Sequence, residues 1–259
     1  MRRAMCGRYS LTTPPEAMRR LFGFDAVPNL PARYNIAPTQ GAPIVRAGVA
    51  GGPRDFAMAR WGLLPRFVKA LSEGARMINA RAETVATKPA FRAAFRQRRC
   101  LVPADGFYEW QKLDDGPKPA KQPWRIGLKG GAPFAFAGLY ETWHPPQGAD
   151  IPDRVAGPGG AVSPGGVDGD GILSFSIVTT TANAAIAKIH ARMPVMLAPE
   201  DFAPWLAPDA TDEELQGLLR PFPAEAMGFY RVSTRVNAVR NDDEACIAPL
   251  AAGTPVPGP

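Results

Sequence analysis

Cys100-Leu101-Val102-Pro103-Ala104-Asp105-Gly106-Phe107-Tyr108-Glu109-Trp110 lies near the middle of the 259-residue chain and reads as two strands meeting at a bend. Apolar and aromatic residues stand on either side, and Pro103 and Gly106 punctuate the run between them. Period-two alternation sets Phe107 and Glu109 on one face, Tyr108 and Trp110 on the other. An acid therefore points the same way as a large apolar side chain. If that face is covered, burial raises the Glu109 pKa toward a range useful for general acid–base work; otherwise Glu109 is a surface residue at a strand end.

Outward from this run, the spacing predicts short strands mixed with short helices and no repeat. Toward the start, a helix is expected over 10–22, with Thr12 or Thr13 as N-cap, Pro14 in the first turn and Met18, Leu21 and Phe22 as its apolar stripe. The prolines of 28–38 argue for an ordered loop through Arg33-Tyr34-Asn35-Ile36-Ala37-Pro38. Residues 78–84 read as extended, which sends Asn79 and Arg81 to one side. A second helix is expected over 88–98, with Phe91 and Phe95 inward and Arg92, Arg96 and Arg99 off that stripe.

Beyond the central run, residues 145–171 hold eight glycines and five prolines in 27 positions and read as a mobile insertion within one domain. A strand follows over 172–178, then a short helix ending near Ile189-His190. An edge strand is expected over 192–197, since Pro194 lacks a ladder donor, and a helix over 212–219. The main domain is set at 5–245, with 246–259 as a tail that is disordered toward its end.

Composition narrows the function. Hydrophobic residues make up 46% of the chain, ample for a core, and the net charge of +6 favours an anionic partner such as nucleic acid. The three cysteines Cys6, Cys100 and Cys246 show neither metal-ligand nor redox spacing, and an odd count suits a reducing, cytoplasmic compartment. No stretch has signal-peptide or membrane-spanning character. There is no phosphate loop, no Gly-x-Ser-x-Gly elbow and no His-Glu-x-x-His, and Asp168-Gly169-Asp170-Gly171 lacks the later carboxylate of a calcium loop. Neither a metal nor a cofactor is expected.

The residues that could carry chemistry are few. Met5-Cys6-Gly7-Arg8 stands near the start, and if everything through Met5 is removed, Cys6 presents an amine and a thiol on one carbon skeleton. That pair captures aldehydes, the amine condensing to an imine and the sulfur closing a thiazolidine ring. An α-amine titrates near about 7.7–8.0 against about 10.4 for lysine, so it is far more often the free base at neutral pH. Of the two histidines, His144 reads as a surface residue, whereas His190 lies between Ile189 and the nearby Arg192, a cation that favours its neutral base form. Asn79 beside Arg81 suits a phosphate or sugar oxygen, unless Arg81 pairs with Glu83 or another acid. Trp61 and Phe67 are the best candidates for stacking on unpaired bases, if they are not core.

Taken in order, Met5-Cys6-Gly7-Arg8, Arg33 to Pro38, Trp61-Gly62, Asn79 to Thr84, Arg99 to Trp110, Thr179-Thr180 and Ile189-His190-Ala191-Arg192 resemble the SRAP family, the SOS-response-associated peptidases. The matches run from Met5 to about Asn241. The resemblance implies a single compact α+β domain of strongly curved, barrel-like antiparallel sheets with peripheral helices. It implies a sensor of abasic sites in single-stranded DNA that crosslinks covalently to the lesion, a monomer without a cofactor, cytoplasmic and drawn to the nucleoid by DNA. By similarity Cys6 is the nucleophile and Asn79, Glu109 and His190 complete the active site. Arg8, Arg81 and Arg192 would neutralise phosphates, Pro38, Trp61 and Phe67 would line or wedge the DNA path, and Thr179 belongs to the same interface. Two features depart from the family: Met1-Arg2-Arg3-Ala4 precedes Met5, and residues 145–171 are inserted. A thiol-dependent peptidase built on Cys6 and His190, and a non-covalent binder of modified DNA, stand as alternatives.

Overall fold

Asp105 divides the central run because its carboxylate is bonded away from the ladder. The computed structural model describes residues 6–26, 28–49, 52–113, 120–146 and 171–251. In it Arg99–Ala104 and Gly106–Leu113 are separate strands, and buried Asp105 lies between them. Its carboxylate accepts from the Ser10 hydroxyl at 2.7 Å, the Thr12 hydroxyl at 2.9 Å, the Thr13 N–H at 3.0 Å and the Arg125 guanidinium at 3.0 Å, and also from the Thr12 N–H. Glycine at 106 leaves room for that guanidinium, since a Cβ there would sit 2.6 Å from its central carbon and would displace it. Replacing Asp105 with alanine leaves the half-buried Arg125 without its carboxylate and is expected to cost about 3–5 kcal/mol of stability. Denaturant unfolding checks this, and a loss under about 1 kcal/mol would contradict the anchoring role.

Among the described residues two sheets meet around this point. The first is antiparallel, ordered β13 (Met227–Arg231), β8 (Ala120–Leu128), β7 (Gly106–Leu113), β1 (Tyr9–Leu11) and β2 (Arg33–Ile36). The second closes on itself: β3 (Gly41–Arg46) pairs with β4 (Asp55–Trp61) and β6 (Arg99–Ala104), β6 pairs with β9 (Phe134–Trp143), and β9 pairs with β10 (Ile172–Thr181). A parallel contact of β10 with β4 completes a five-stranded barrel. Beyond β4, the short β5 (Asn79–Arg81) continues the parallel ladder on β10, Asn79 opposite Ile177. The main core fills the barrel and the face of the first sheet that covers it, with Tyr9, Trp61, Phe107, Phe136 and Phe175 at its centre. Among the described residues four short α-helices lie around it: α1 (Pro15–Phe22), α2 (Arg92–Gln97), α3 (Phe202–Leu206) and α4 (Asp212–Leu218). The whole is one α+β domain, as expected. No described helix is long and apolar enough to cross a membrane.

The central alternation holds: Phe107 lies in the main core, while Tyr108 packs with Val232 and Val236, with Trp110 against them. Elsewhere local expectations need correction. The first helix begins only at Pro15, because Thr12 and Thr13 bond to Asp105 instead of capping it. Arg33–Ile36 is a strand and not a loop, since the prolines flank it and Asp242 receives the Tyr34 and Asn35 N–H groups at 2.5 and 2.9 Å. The second helix is confined to Arg92–Gln97, with Pro89 inside the turn that precedes it. Arg99 is not on a solvated face. It is buried and donates to the carbonyls of Phe95, Arg96, Trp205 and Ala207.

The segment 192–197 is two short strands rather than one, each at an end of the second sheet's order, as an edge position requires. β11 (Arg192–Pro194) pairs with the end of β10, and β12 (Met196–Leu197) pairs with the start of β9. Val195 bonds to both, its N–H to Val178 and its carbonyl to Ala137. The segment thus wedges between two strands where their own ladder ends, and Pro194 sits where the pairing changes sides. Of the inserted run, 147–170 lie outside the described residues, as do 1–5 and 252–259 of the termini.

Candidate functional site

The first sheet's register brings Cys6 to Glu109. Tyr9 opposes Phe107 across β1 and β7, and the Arg8 carbonyl accepts the Tyr108 N–H. Continued toward the chain start, the ladder carries Cys6 past Glu109, and the Cys6 nitrogen donates to Glu109 Oε1 at 2.8 Å. That nitrogen is here a peptide N–H, Met5 preceding it. With the upstream residues removed, the same atom would be an amine. The Cys6 φ of +39° is left-handed, a strained value for a residue with a Cβ, of the kind held at functional positions.

The second sheet supplies the rest. From β5, Asn79 Nδ2 reaches the Cys6 carbonyl at 3.5 Å. Trp61 Nε1 donates to the Ile78 carbonyl at 2.9 Å, fixing the residue that leads into Asn79. His190 lies in the turn between β10 and β11, where the Arg192 N–H meets its Nδ1 at 3.2 Å. The Arg192 carbonyl lies equally near that nitrogen, at 3.2 Å, so either neutral tautomer finds a partner there.

Burial sets the electrostatics. Cys6 is 1% exposed and Glu109 4%. Burial, reinforced by the Glu109 charge, pushes the Cys6 thiol well above its usual range. Burial also raises the Glu109 carboxyl, opposed first by His190 and then by the Cys6 and Trp110 N–H groups. The site therefore holds a thiol kept neutral beside a carboxyl that binds its proton more tightly than usual.

The candidate DNA-contacting residues divide. Arg81 is exposed on β5, two residues beyond Asn79. Phe67 is 62% exposed. Pro38 is half-buried in the turn where the Thr39 N–H bonds to the Trp61 carbonyl. Trp61 itself must be withdrawn as a stacking residue, because its ring is buried against Tyr9 and Phe175. Thr179 is likewise buried, and its carbonyl receives Arg192 Nη2 at 2.7 Å. Arg8 is committed internally, donating to Asn35 Oδ1 at 3.0 Å and to the carbonyls of Val236 and Asn237 at 2.5 and 3.1 Å. Arg192 is held at 2.8 and 3.0 Å by both carboxylate oxygens of Glu83. Glu83 was expected, if anywhere, on Arg81; its sequence neighbourhood carries no sign that a residue 109 positions away takes it. Asn35, which fixes Arg8 and donates to the carbonyls of Val236, Ala238 and Asn241, is a second positioning residue that the sequence does not reveal.

The barrel and the first sheet between them bring together a buried thiol, a buried carboxyl, a half-buried amide and a half-buried histidine. Residues 5–239 match the family model described as SOS response associated peptidase (SRAP). The chain is 39% identical over 249 residues to the abasic site processing protein YoqW of Bacillus subtilis, covering 94% of this chain and 99% of that one. It is 28% identical to the abasic site processing protein HMCES of Gallus gallus, covering 86% and 67%. Among solved structures, a Bacteroides thetaiotaomicron protein superposes with a TM-score of 0.76 at 23% identity, covering 95% and 100%. A phage-related protein from Bordetella bronchiseptica gives 0.62 at 32%, covering 88% and 94%. The chain belongs to the SRAP family.

Proposed function

We propose that this protein processes abasic sites in single-stranded DNA by forming a covalent thiazolidine through Cys6 once the residues upstream of it are gone. The observation that carries the reading is the 2.8 Å approach of the Cys6 nitrogen to Glu109 Oε1, with Asn79 on the Cys6 carbonyl and His190 acting on the same carboxyl. The family's abasic-site relatives point to the same substrate.

In the opened form an abasic deoxyribose is an aldehyde. The Cys6 amine adds to its carbonyl carbon, the carbinolamine loses water to an imine, and the thiol then adds to the imine carbon while its proton passes to nitrogen. One water leaves overall. Glu109 takes and returns the protons of addition and dehydration, Asn79 orients Cys6 through its carbonyl, and His190 assists opening of the sugar ring. A neutral thiol suits this order, since nitrogen attacks first and sulfur closes the ring. The same protonation state weighs against a thiolate peptidase acting on other proteins. Removal of Met5, by start-methionine excision or by self-cleavage at Met5–Cys6, is part of the reading. Arg81 neutralises phosphate beside the lesion, Arg192 does so in competition with Glu83, and Phe67 and Pro38 border the gap left by the missing base.

Intact mass spectrometry before and after mixing with abasic single-stranded DNA tests this. The expected result is a protein beginning at Cys6 and an adduct of protein plus oligonucleotide minus one water. An adduct formed by protein that retains residues 1–5, or no adduct at all, would overturn it.

A further inference from the structure

The first sheet carries a row of side chains from Glu109 to its outer strand that the chemistry above leaves unused. Across β7, β8 and β13, Glu109 stands directly opposite Trp124, and Trp124 directly opposite Arg231, so all three share one face. Two strand spacings separate Glu109 from Arg231, about 10 Å along the backbone. Phe229, two residues before Arg231 on that face, packs edge-on against Trp124 with ring centroids 5.8 Å apart and is 40% exposed. The Trp124 indole N–H donates to Gln111 Oε1 at 3.0 Å, and Gln111 Nε2 donates to the Lys188 carbonyl at 3.1 Å. The indole is thereby tied to the turn that delivers His190 two residues later.

Besides the buried Glu109 carboxyl, two cationic residues lie near this aromatic pair. Lys188 is exposed, Arg231 is half-buried, and among the described residues no carboxylate pairs with either. Aromatic faces with cations next to them suit a single nucleic-acid strand, whose bases stack without regard to sequence while its phosphates meet the cations. A docking protein would match the rings, but it would not account for their register with Glu109.

Resting on the function proposed above, we infer that Trp124 and Phe229 form a stacking platform for the nucleotide on one side of the lesion, with Arg231 receiving its phosphate. The platform is built on paired strands and is therefore preorganised, so it sets how the damaged strand leaves the site.

The test measures the DNA concentration giving half-maximal crosslinking, with a single-stranded oligonucleotide carrying one central abasic site. Phe229→Ala and Trp124→Ala are expected to raise it about five- to a hundredfold, the range for losing one stacked base, and Trp124→Phe to restore most of the loss. Arg231→Gln is expected to reduce the salt dependence by about 0.7 in log–log slope, one phosphate's share on a single strand. The same variants are then compared on oligonucleotides with the lesion at the 5′ or the 3′ end. The wild-type advantage should vanish for one end only, the end that leaves the platform empty. Phe229 is exposed, so its variant folds even if Trp124→Ala does not. If wild-type protein crosslinks normally while Phe229→Ala and Arg231→Gln match it at every concentration and salt, the platform is refuted and the proposed chemistry stands. If wild-type protein forms no crosslink, the proposed chemistry itself is refuted.

Discussion

Serine at position 6 is expected to leave no adduct that survives denaturing electrophoresis. The Cys6→Ser variant, freed of residues 1–5, keeps the amine near Glu109 and can still condense with the aldehyde. It lacks the sulfur that traps the imine, so the bond hydrolyses when the complex is denatured. Borohydride added during the reaction should fix that imine as a secondary amine, recovering the adduct with serine in place. Acetylating the wild-type terminus is the converse experiment: the thiol stays, the amine is lost, and crosslinking should stop. A heat-stable adduct from Cys6→Ser without reductant would sink the ring-closing chemistry, and persistence after acetylation would make sulfur the first nucleophile.

Glu109→Gln is expected to slow crosslinking by about 10²- to 10⁴-fold, the usual worth of a positioned proton carrier. Glutamine can still accept the Cys6 N–H but moves no proton, so the loss should fall on rate more than on DNA binding. The stability of the chain with Met5 in place should move the opposite way. The Glu109 pKa is raised by burial, so the native state holds its proton more tightly than the unfolded one. Between the two pKa values the native state binds more protons, and stability falls as pH rises through that window. Glutamine escapes the penalty. Glu109→Gln should therefore match wild type in acid and become the more stable protein toward neutral pH, as paired melting curves would show. A variant that crosslinks at the wild-type rate would remove Glu109 from the mechanism, and one that loses stability toward neutral pH would contradict the raised carboxyl.

Much of this site was legible because strand geometry is local. The alternation in Phe107-Tyr108-Glu109-Trp110 predicts which residues face the core, and the structure has Phe107 in the main cluster and Tyr108 in a separate one. What sequence order cannot supply is which strand a face meets. The β1–β7 register that sets Cys6 on Glu109 pairs Tyr9 with Phe107, and that of β5 on β10 pairs Asn79 with Ile177, each far apart along the chain. Arginines were the least legible. Arg8, Arg99 and Arg192 all looked like free cations, yet each spends its donors on carbonyls or a carboxylate that come from far along the chain. Trp61 misled for a related reason: a tryptophan beside Gly62 suits a DNA wedge or a barrel core equally well, and only the closure of the barrel around it decides.

Arg8 reaches the Val236 and Asn237 carbonyls across 228 and 229 positions, and Asn35 grips the same turn. A ribosome adding about 5–20 residues per second delivers those carbonyls roughly 10–50 s after Arg8 emerges. The segment bearing the cysteine is made long before the turn that secures it. A nascent chain thus holds Cys6 without its full frame until the turn at 236–237 has been made.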